Sequence, residues 1–391
     1  MSVAQTYKDL RVLDLSTNLA GPFAAMILGD LGADVVKIER SPGGDDTRSL
    51  PPRWRDSATV FIAVNRNKRS LLLDIKSIEG REALLRLVDQ ADVLIESFPP
   101  GIAAKLALTA EDIRSHNPRT IVCSISAFGD GPKGSTEPGY DALVQAVSGM
   151  MSFTGEEGGA TVRLAPSVLD LSTGMWAAMG IMAALARRAQ SGEGAHVRAA
   201  LLDSAFTLMC HQVLGYLATG KLPEKLGSGA PSATPYRVYR ASDGEFILAT
   251  ATDAQFERLC RALGRDELAS DPRFADMNAR LQARFELDVI LDNCFATRSV
   301  SDWLGQLASA GLGVGRVNDL GQALRTELAV ERQLFVEPSA IAWKDGLPLL
   351  RLPICDAGEG VLRPPPALGE HSAEVLREAG FDAAAVARLI Q

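Results

Sequence analysis

The sequence predicts an α/β protein built on a mostly parallel sheet with helices on both faces, followed by a smaller α+β unit. Short apolar runs alternate with helical segments through the first half of the chain, which is typical of buried parallel strands covered by helices. A Gly/Ser/Pro-rich segment, Gly227–Pro235, then interrupts the chain, and a different pattern of strands and helices follows it. The length of 391 residues is sufficient for two domains.

The first βαβ unit indicates where a ligand would bind. Val12–Leu15 is a short apolar strand, and Gly21-Pro22 opens a helix because the N–H group that proline lacks has no partner at the first helical position. Gly32 closes this helix as a left-handed cap, and Val35–Ile38 is the second buried strand. Such a unit places its loops and a helix N-terminus at one sheet edge. We therefore expect a binding site near residues 16–22 and just after the second strand.

The remaining elements are predicted from the same signals. Further strands of the first half are expected at Ser70–Ile75, Val93–Ile95, Thr120–Ile125 and His196–Leu202. Helices are expected at Glu79–Val88, after the capping residue Thr109, and over the long Ala- and Met-rich stretch Ser172–Gln190. Beyond the interruption we expect a strand at Gly244–Thr250 and helices at Asp253–Leu263, Asn278–Phe295, Ser301–Ala310 and Ser372–Ala379.

Composition narrows the classes of function. A net charge of −8 argues against nucleic acid as a partner. The five cysteines are scattered and lack metal-ligand spacing, which fits a reducing compartment without structural disulfides or a metal site. The start of the sequence lacks the pattern of a signal or transit peptide, and the apolar run Met175–Ala186 is too short to span a membrane. We therefore expect a soluble cytoplasmic protein with no membrane partner.

Polar and basic residues follow four of the predicted strands. The first strand is followed by Asn18-Leu19-Ala20, the second by Arg40, the third by Lys76 and the fourth by Ser97-Phe98, with Lys105 close behind. The carboxyl ends of parallel strands share one sheet edge, so Arg40 and Lys76 could converge on one anion. Each cation by itself is more simply a solvated surface charge. Because three cations lie near one edge of an acidic protein, binding of a phosphate-bearing ligand is as good an interpretation of the group as solvated surface charges.

Other ligands and chemistries find less support in the residues. A nicotinamide dinucleotide would need a glycine-rich turn, but Gly21 is the single glycine before the first helix. No serine has a nucleophile-elbow pattern and the four histidines lie in unrelated contexts, which argues against a Ser-His-Asp hydrolase. The basic run Asn65–Arg69 fits a phosphate contact and a solvated turn equally well.

Asp170 precedes the long apolar helix and admits two interpretations. Aspartate is a preferred N-cap residue, because its side chain accepts hydrogen bonds from the free N–H groups of the first turn. The same position keeps a carboxylate ionised, and nearby N–H groups could stabilise an oxyanion if this carboxylate attacked a carbonyl group. From the residues alone, the pattern favours the cap.

Taken together, several segments resemble the class III CoA-transferases. That family includes formyl-CoA, carnitine and succinyl-CoA–dicarboxylate transferases and also the alpha-methylacyl-CoA racemases. The matching pieces cover nearly the whole chain and occur in family order: RVLDLSTNLAGPFAAMILGDLGADVVKIER, NRNKRSLLLDIK, VLIESFPPG, GYDALVQAVSGM, LDLSTGMWAAMGIMAAL and PPPALGEH. The resemblance changes the interpretation of Asp170 from a helix cap to a nucleophile.

The resemblance implies an architecture and a mechanism. It implies a large Rossmann-like domain from residues 1–226 and 330–391, a linker at 227–234, a small α+β domain at 235–325, and a homodimer of interlocked chains. The implied activity moves CoA from an acyl-CoA donor to a free carboxylic acid. It runs by a ping-pong mechanism through an anhydride and a CoA thioester of Asp170. Coenzyme A is then a substrate, and no permanently bound cofactor or metal is implied.

The resemblance also assigns site residues. Asp141 falls where the formyl-CoA enzymes carry a glutamate near the reacting centre, so it is either a second catalytic acid or a structural acid of the Gly-Tyr-Asp turn. The implied CoA contacts are Asn18, Leu19, Ala20, Arg40, Leu73, Lys76, Ser97, Phe98 and Lys105.

Three departures narrow the type of reaction. Leu19 stands where the formyl-CoA enzymes have a glutamine, and their multi-glycine loop is short and broken by proline here, at Gly227–Pro235. Tyr140 stands where the racemases have a catalytic histidine, so one proton-transfer partner for inversion is missing. By general similarity, the sequence as a whole most resembles the succinyl-CoA–dicarboxylate type, and an acyl-CoA racemase or epimerase is the alternative.

Overall fold

In the computed structural model, residues 3–361 and 363–390 are described, and they form two compact units. The first unit combines the chain up to Met150 with Arg163–Lys221 and with the chain from Glu331 onward. The second unit combines Met151–Val162 with Leu222–Val330. Residues 1, 2, 362 and 391, which belong to the expected large domain, lie outside the described residues.

The two units differ from the expected domain boundaries, which stay a prediction: the second unit includes residues 151–162 and 222–234, and it extends beyond 325 to Val330. Residues 151–162 were assigned to the large domain but lie in the second unit, where the N–H of Gly227 donates to the Gly155 carbonyl at 2.9 Å. The expected linker at 227–234 is also part of this unit, because buried Arg280 donates from Nε to the Thr234 carbonyl at 3.1 Å. Glycine and proline content indicates a break in regular structure and carries no information about such long-range bonds.

A six-stranded sheet forms the centre of the first unit. Its strands are β1 (Arg11–Asp14), β2 (Asp34–Glu39), β3 (Lys68–Leu72), β4 (Val93–Glu96), β5 (Ile121–Ser126) and β6 (His196–Ala200). They lie in the order β3-β2-β1-β4-β5-β6, and every neighbouring pair is parallel. This is the strand order of the Rossmann fold, and it confirms the predicted parallel sheet.

Helices occur between the strands and in the second unit. In chain order they are α1 (Ala20–Asp30), α2 (Thr59–Val64), α3 (Ile78–Val88), α4 (Ile102–Leu106), α5 (Ala110–His116), α6 (Asp141–Val147), α7 (Val168–Ser191), α8 (Leu201–Leu208), α9 (Cys210–Thr219), α10 (Asp253–Leu263), α11 (Asp266–Ser270), α12 (Met277–Gln282), α13 (Arg284–Phe295), α14 (Val300–Ser309), α15 (Leu320–Ala323), α16 (Glu327–Glu331), α17 (Ser372–Glu378) and α18 (Ala383–Leu389). Short 3₁₀ turns lie at Asp46–Ser49, Gly134–Thr136, Met150–Ser152 and Pro338–Ile341. Two-residue strands pair Arg53–Trp54 with Ser57–Ala58, and Phe335–Val336 with Leu349–Leu350.

Helices cover both faces of the six-stranded sheet, because successive side chains of a strand point to opposite sides. Leu13, Val36 and Leu71 belong to one buried cluster together with residues of α3, α5, α17 and α18. The other face is covered by α1, which contacts β1 and β2, and by α7, which contacts β5 and β6. Helices α1 and α7 also pack against each other. The predicted layers of helix, sheet and helix are therefore confirmed.

Helix α7 corrects one prediction. The sequence predicted an apolar run, Met175–Ala186, that is too short to cross a membrane, but the helix extends from Val168 to Ser191. Among the described residues, α7 is the one helix that is long and apolar enough, by length and composition, to do so. Half of its most apolar window is buried inside the protein. Its residues Ala177 and Ile181 are fully buried, and the helix packs on α1 and on the sheet. These contacts are those of a core helix.

The second unit contains a three-stranded antiparallel sheet. Strands β7 (Tyr236–Ala241), β8 (Gly244–Ala249) and β9 (Gly313–Arg316) lie in the order β9-β8-β7. In its core, Phe295 contacts Phe246 and Trp303 edge-on, with ring centroids 5.1 and 5.2 Å apart. Only β8 was predicted from the sequence. Arginines in β7 and glycines in β9 interrupt the apolar pattern that marks β8.

Candidate active site

The strand order creates a crevice at the carboxyl ends of β1 and β4. The chain leaves β1 toward β2 on one side while β4 lies on the other, so the loops after these two strands diverge. The backbone N–H of Thr17 donates a hydrogen bond to Ser97 Oγ at 3.1 Å across the crevice. The structure therefore brings the predicted contact residues Asn18-Leu19-Ala20 close to Ser97-Phe98.

The turn between β1 and α1 depends on two special backbone positions. Asn18 has a φ of 66°, in the left-handed region that asparagine tolerates better than most residues. Gly21 lies so close to Ser16 that an added Cβ would be 2.2 Å from the Ser16 Cβ atom. Leu19, at the N-cap, provides no side-chain hydrogen bond to the first turn of α1. The first turn of α1 thus lacks a side-chain cap at the sheet edge that holds the crevice, and the positive end of a helix suits an anionic group.

Arg40 and Lys76 follow β2 and β3, which lie beside β1 in the sheet. Both side chains are exposed, and Arg40 forms an exposed ion pair with Asp46, which is a weak interaction in water. The N–H of Leu73 donates to the Glu39 carbonyl at 2.9 Å and joins the ends of the two strands. The two cations therefore lie at the ends of adjacent strands, on the same sheet edge as the crevice.

Two predicted contact residues have a different setting. The Leu73 side chain is 2% exposed and packs in the hydrophobic core, so a ligand contact at this position would come from its backbone. Lys105 lies on the short helix α4 and its side chain is exposed.

A buried charge network that the sequence pattern did not predict supports the turn after β1. Its charged members Asp14, Lys37, Lys68 and Asp45 are all buried. Lys68 Nζ lies 2.8 Å from Asp14 Oδ2, and Lys37 Nζ lies 2.8 Å from Asp45 Oδ2. Lys37 Nζ also donates to the Ser16 carbonyl at 2.9 Å, while Asp14 accepts from the Ser16 N–H at 3.1 Å. The network therefore fixes the turn at Ser16.

Burial and pairing act in opposite directions on this network. Burial raises the pKa of Asp14, but the charges of Lys68 and Lys37 lower it more, so the pKa lies below its usual value. Burial lowers the pKa of Lys68 to about 8, although Asp14 acts to raise it. The carboxylate of Asp14 thus stays ionised inside the protein and needs its cations there.

The basic run Asn65–Arg69 belongs to the interior of the first unit. All five residues are buried. Arg66 pairs with buried Asp30 and Lys68 with buried Asp14, whereas buried Arg69 pairs with Asp34, whose side chain is 37% exposed. Both interpretations from the sequence, a phosphate contact and a solvated turn, are therefore wrong. The sequence displays these charges but not the carboxylates that pair with them in the folded chain.

Asp170 lies within α7 and not at its cap. The helix begins at Val168 with Ser167 as the N-cap, so Asp170 is the third helical residue. Gly174 follows one turn later on the same face, where an added Cβ would be 2.6 Å from the Ala20 carbonyl oxygen. This face of α7 therefore packs against the start of α1, and Asp170 lies next to the crevice.

The capping role that the residues suggested for Asp170 is performed by Asp141. Its Oδ2 accepts hydrogen bonds from the N–H groups of Leu169 at 2.8 Å and Asp170 at 3.2 Å. Asp141 is buried, and its Oδ1 accepts from Gln145 Nε2 at 2.6 Å. Among residues 3–361 and 363–390, no hydrogen bond or ion pair reaches the Asp170 carboxylate. The capping interpretation of Asp170 is therefore wrong.

The surroundings of Asp170 suit a nucleophile. Burial raises the pKa of Asp170 to about 7, and the negative charge of Asp141 adds to this effect. A half-buried carboxylate has lost part of the water shell that would compete with an electrophile. Groups with strongly shifted pKa values in a crevice are candidates for reactive residues. The geometry thus provides one free carboxylate beside a crevice that has a helix N-terminus and two cations at its edge.

Two parts of this site were missed in the sequence although signals for them exist. Gln145 follows Asp141 by one helical turn, and this spacing places both side chains on one face of α6. The buried charges Asp14 and Lys37 stand inside otherwise apolar strand segments, Val12–Leu15 and Val35–Ile38. A charge in such a segment indicates a buried pair, but the sequence does not identify its partner.

Comparisons with known sequences and structures support the family resemblance. The sequence model of a family described as CoA-transferase family III matches residues 7–372. The chain is 38% identical to a succinate–glutarate CoA-transferase of Agrobacterium fabrum, with 94% of each chain covered. It is 35% identical to a succinyl-CoA:glutarate CoA-transferase of Mus musculus, with 98% of this chain and 88% of the relative covered. A crystal structure of a CAIB/BAIF family protein from Brucella suis is similar with a TM-score of 0.84 at 38% identity, covering 95% of this chain and 98% of that one.

Proposed function

This chain belongs to CoA-transferase family III, and we propose that it exchanges CoA between an acyl-CoA and a free dicarboxylic acid through covalent intermediates on Asp170. The chain is a CoA-transferase, because relatives that are 33 to 40% identical over most of the chain are named CoA-transferases. The observation that carries the role of Asp170 is its half-buried carboxylate beside the crevice, relieved of helix capping by Asp141.

The first half of the proposed reaction loads CoA onto the protein. The Asp170 carboxylate attacks the thioester carbonyl of the donor, the carbon–sulfur bond breaks, and CoA leaves as a thiolate. The product on the protein is an anhydride between Asp170 and the donor acyl group. The thiolate then attacks the Asp170 carbonyl of this anhydride, which gives an aspartyl-CoA thioester and releases the donor acid.

The second half repeats these bond changes with the acceptor. The acceptor carboxylate attacks the Asp170 thioester, which forms a second anhydride and frees the CoA thiolate. The thiolate attacks the acceptor carbonyl of the anhydride, so that the new acyl-CoA forms and the Asp170 carboxylate is regenerated. Water must stay out of both intermediates to conserve the thioester bond, which is why a shielded carboxylate suits the task.

A dicarboxylate is the proposed class of acid. Relatives are named for transfer with succinate, glutarate and mesaconate, and Leu19 replaces the glutamine that the formyl-CoA enzymes carry there. The alternative of acyl-CoA racemisation finds no support in the site. Tyr140, which stands where the racemases have a histidine, has a phenol side chain and is 72% exposed.

A matrix of donors and acceptors tests the proposed function. Succinyl-CoA, glutaryl-CoA and acetyl-CoA are each incubated with the protein and with succinate, glutarate, mesaconate or oxalate, and the acyl-CoA products are resolved by mass spectrometry. We expect transfer among dicarboxylates with parallel lines in double-reciprocal plots, as a ping-pong mechanism requires. Deuterium wash-in at an α-carbon without acyl exchange would instead assign the protein to the racemases.

The rate of transfer should depend on the ionisation of Asp170. Only the carboxylate attacks the thioester, and burial raises the pKa of this group to about 7. We therefore expect kcat/KM for the acyl-CoA to fall tenfold per pH unit below about pH 7 and to level off above it. Initial rates between about pH 5.5 and 9 measure this limb. A profile that stays flat down to pH 5.5 would contradict a nucleophile with this pKa.

We propose that residues at the crevice edge bind coenzyme A. The diphosphate and the ribose phosphate of CoA are anionic, and the free N-terminus of α1 together with exposed Arg40, Lys76 and Lys105 offers complementary charge. The other proposed contacts come from the loops after β1, β3 and β4, namely Asn18, Leu19, Ala20, Leu73, Ser97 and Phe98.

Loss of a phosphate-binding cation should weaken acyl-CoA binding without affecting the chemical step. For Arg40→Gln and Lys76→Gln we expect KM for the acyl-CoA to rise about tenfold, with kcat within about twofold of the wild type. Arg55→Gln is the matched control, because Arg55 is 60% exposed in an ion pair with Asp345, as Arg40 is 62% exposed in its pair with Asp46. Equal KM values for the Arg40 and Arg55 variants would remove Arg40 from the proposed site.

We propose that the protein is a homodimer, with the interlocked chains that its family resemblance implies. Large apolar side chains are exposed on α6, α7, α8 and α9. Soluble monomers rarely expose large apolar patches, and a second copy of the chain would cover these side chains. The most prominent are Tyr140 at the N-cap of α6 and, on the helices themselves, Val147, Met175, Trp176, Met179, Phe206, Leu214, Tyr216 and Leu217. Light scattering should therefore give twice the chain mass of 41.6 kDa.

The remaining proposals concern cofactors and location. Coenzyme A enters and leaves as a substrate, and among the described residues no group of three metal-ligating side chains lies together. We propose a cytoplasmic location, because the five cysteines are free and a reducing compartment preserves this state.

A further inference from the structure

Gln145 joins three segments beside the proposed nucleophile. It lies on α6 one turn after Asp141, and its side chain is completely buried. Its Nε2 donates to Asp141 Oδ1 at 2.6 Å and to the Leu164 carbonyl at 3.5 Å. Its Oε1 accepts from the N–H of Leu164 at 2.9 Å. One amide thus connects Asp141 with the segment that leads into α7.

These contacts require a side chain that both donates and accepts. A carboxylate in the place of Gln145 could accept from Leu164 but could not donate to Asp141. An apolar side chain would remove the hydrogen bonds from Gln145 to the Leu164 backbone and to Oδ1 of Asp141. Because these polar groups are buried, losing their partners lowers the free energy of unfolding. The neutral amide satisfies both neighbours at once.

We propose that Gln145 is a positioning residue for the nucleophile, an inference that rests on the proposed role of Asp170. By holding Oδ1 of Asp141, Gln145 directs Oδ2 to the N–H groups of Leu169 and Asp170. The start of α7 is then capped from α6, and the Asp170 side chain is not drawn back to cap its own helix. Gln145 acts through Asp141 and not on the substrate.

The charged groups around this arrangement are few. Asp141 on α6 is the charge that acts on Asp170. Arg163, in the segment before α7, donates to the Leu164 and Ala165 carbonyls at 3.5 and 3.3 Å. Asp203 on α8, a helix that contacts both α6 and α7, is exposed and therefore screened by water. A change at Gln145 will therefore reach Asp170 mainly through Asp141.

The test compares the pH dependence of CoA transfer in the wild type and in Gln145→Leu. In this variant Asp141 is released, Asp170 loses the adjacent negative charge and takes over the capping of α7. Both changes favour its ionised form, so the midpoint of the acid limb should move from about pH 7 to lower pH by about 1. We expect kcat to fall about tenfold and KM for the acyl-CoA to stay within about twofold. A purely structural role would scale kcat with the folded fraction and leave the midpoint in place.

Two further variants complete the design. Gln145→Glu preserves the size of the side chain: at low pH the introduced carboxyl is protonated and donates to Asp141, whereas at high pH two carboxylates repel each other. Its activity relative to the wild type should therefore decrease as pH rises. The matched control is Gln306→Leu in the second unit, where Gln306 bonds to the Ala262 carbonyl and to Arg298. The control should leave the midpoint unchanged.

The outcomes separate this inference from the proposed function. A lower midpoint in Gln145→Leu, together with the opposite pH trend in Gln145→Glu, supports the positioning role. Wild-type kcat and an unchanged midpoint in both variants would overturn the inference while leaving CoA transfer through Asp170 intact. Failure of the wild type to transfer CoA with any donor would instead refute the proposed function.

Discussion

Replacement of Asp170 by asparagine should abolish CoA transfer and, at the same time, stabilise the folded protein at neutral pH. The amide has the size of the carboxylate but cannot form the anhydride or the thioester. We therefore expect kcat to fall by about 10⁴-fold or more, as when other covalent nucleophiles are removed. Binding of acyl-CoA should persist, because the proposed contact residues are not altered.

The stability change follows from the shifted pKa of Asp170. The pKa is about 7 in the folded protein and near 3.8 in the unfolded chain, so the unfolded chain releases this proton at lower pH. The free energy of unfolding therefore decreases as pH rises from about 4 to about 7, and the ionised carboxylate destabilises the fold above that range. Asparagine carries no such charge, so Asp170→Asn should gain about 1–2 kcal/mol at pH 8, discounted for partial exposure, and little at acid pH.

Chemical denaturation at two pH values, together with hydroxylamine trapping during turnover, measures both effects. In the wild type the trapped hydroxamate should map to the peptide that contains Asp170. Asp141→Asn is the control, and its effect on the free energy of unfolding should be opposite: it weakens the acceptor that caps α7 and should therefore destabilise the protein. A trap on a different residue, or near-normal turnover of Asp170→Asn, would show that another group is the nucleophile.

The second large effect is expected at Lys68, far from solvent. Lys68→Met removes the cation that lies 2.8 Å from buried Asp14 and leaves that carboxylate with Lys37 at 3.9 Å as its remaining cation. Breaking a buried pair in this way costs about 3–5 kcal/mol of the free energy of unfolding. Because Asp14 also accepts from the Ser16 N–H, the turn before α1 should loosen and KM for the acyl-CoA should rise.

Urea denaturation of single and double variants measures this coupling. Asp14→Asn removes the orphaned charge while its amide oxygen still accepts from Ser16. The double variant Asp14→Asn/Lys68→Met should therefore be more stable than Lys68→Met alone. Arg55→Gln breaks an exposed ion pair and should change stability by less than about 0.5 kcal/mol. Strictly additive losses in the double variant would mean that the two side chains do not act as a pair.

Elements that depend on local signals were predicted closely. Thr109 caps α5 as expected, in a capping box in which its side chain accepts from the Asp112 N–H at 3.2 Å. Gly32 has a φ of 106°, as a left-handed position after a helix requires. Helix α10 has the predicted bounds. The predicted start of α1 at Pro22 is two residues too late, since α1 begins at Ala20 and Pro22 is its third residue. Each of these features involves residues within a few positions of one another.

The sequence by itself determined the parallel sheet, the layers of helices and the strand ends that carry Asn18, Arg40, Lys76 and Ser97. It did so because apolar periodicity, caps and turns act between neighbours in the chain, and the carboxyl ends of parallel strands necessarily share an edge. The resemblance to a known family added the proposed nucleophilic role of Asp170, a residue that the local pattern alone assigned to a cap.

Only the tertiary structure decided which carboxylate caps α7 and which stays available. Asp141 reaches the start of α7 from 28 positions earlier in the chain, and Lys68 meets Asp14 across 54 positions. The energies of such contacts come from burial, desolvation and charge pairing between distant segments, and these depend on how α6, α7 and the strands pack. A linear sequence shows which residues carry charge, whereas the folded chain decides which charges neutralise each other and which carboxylate stays unpaired.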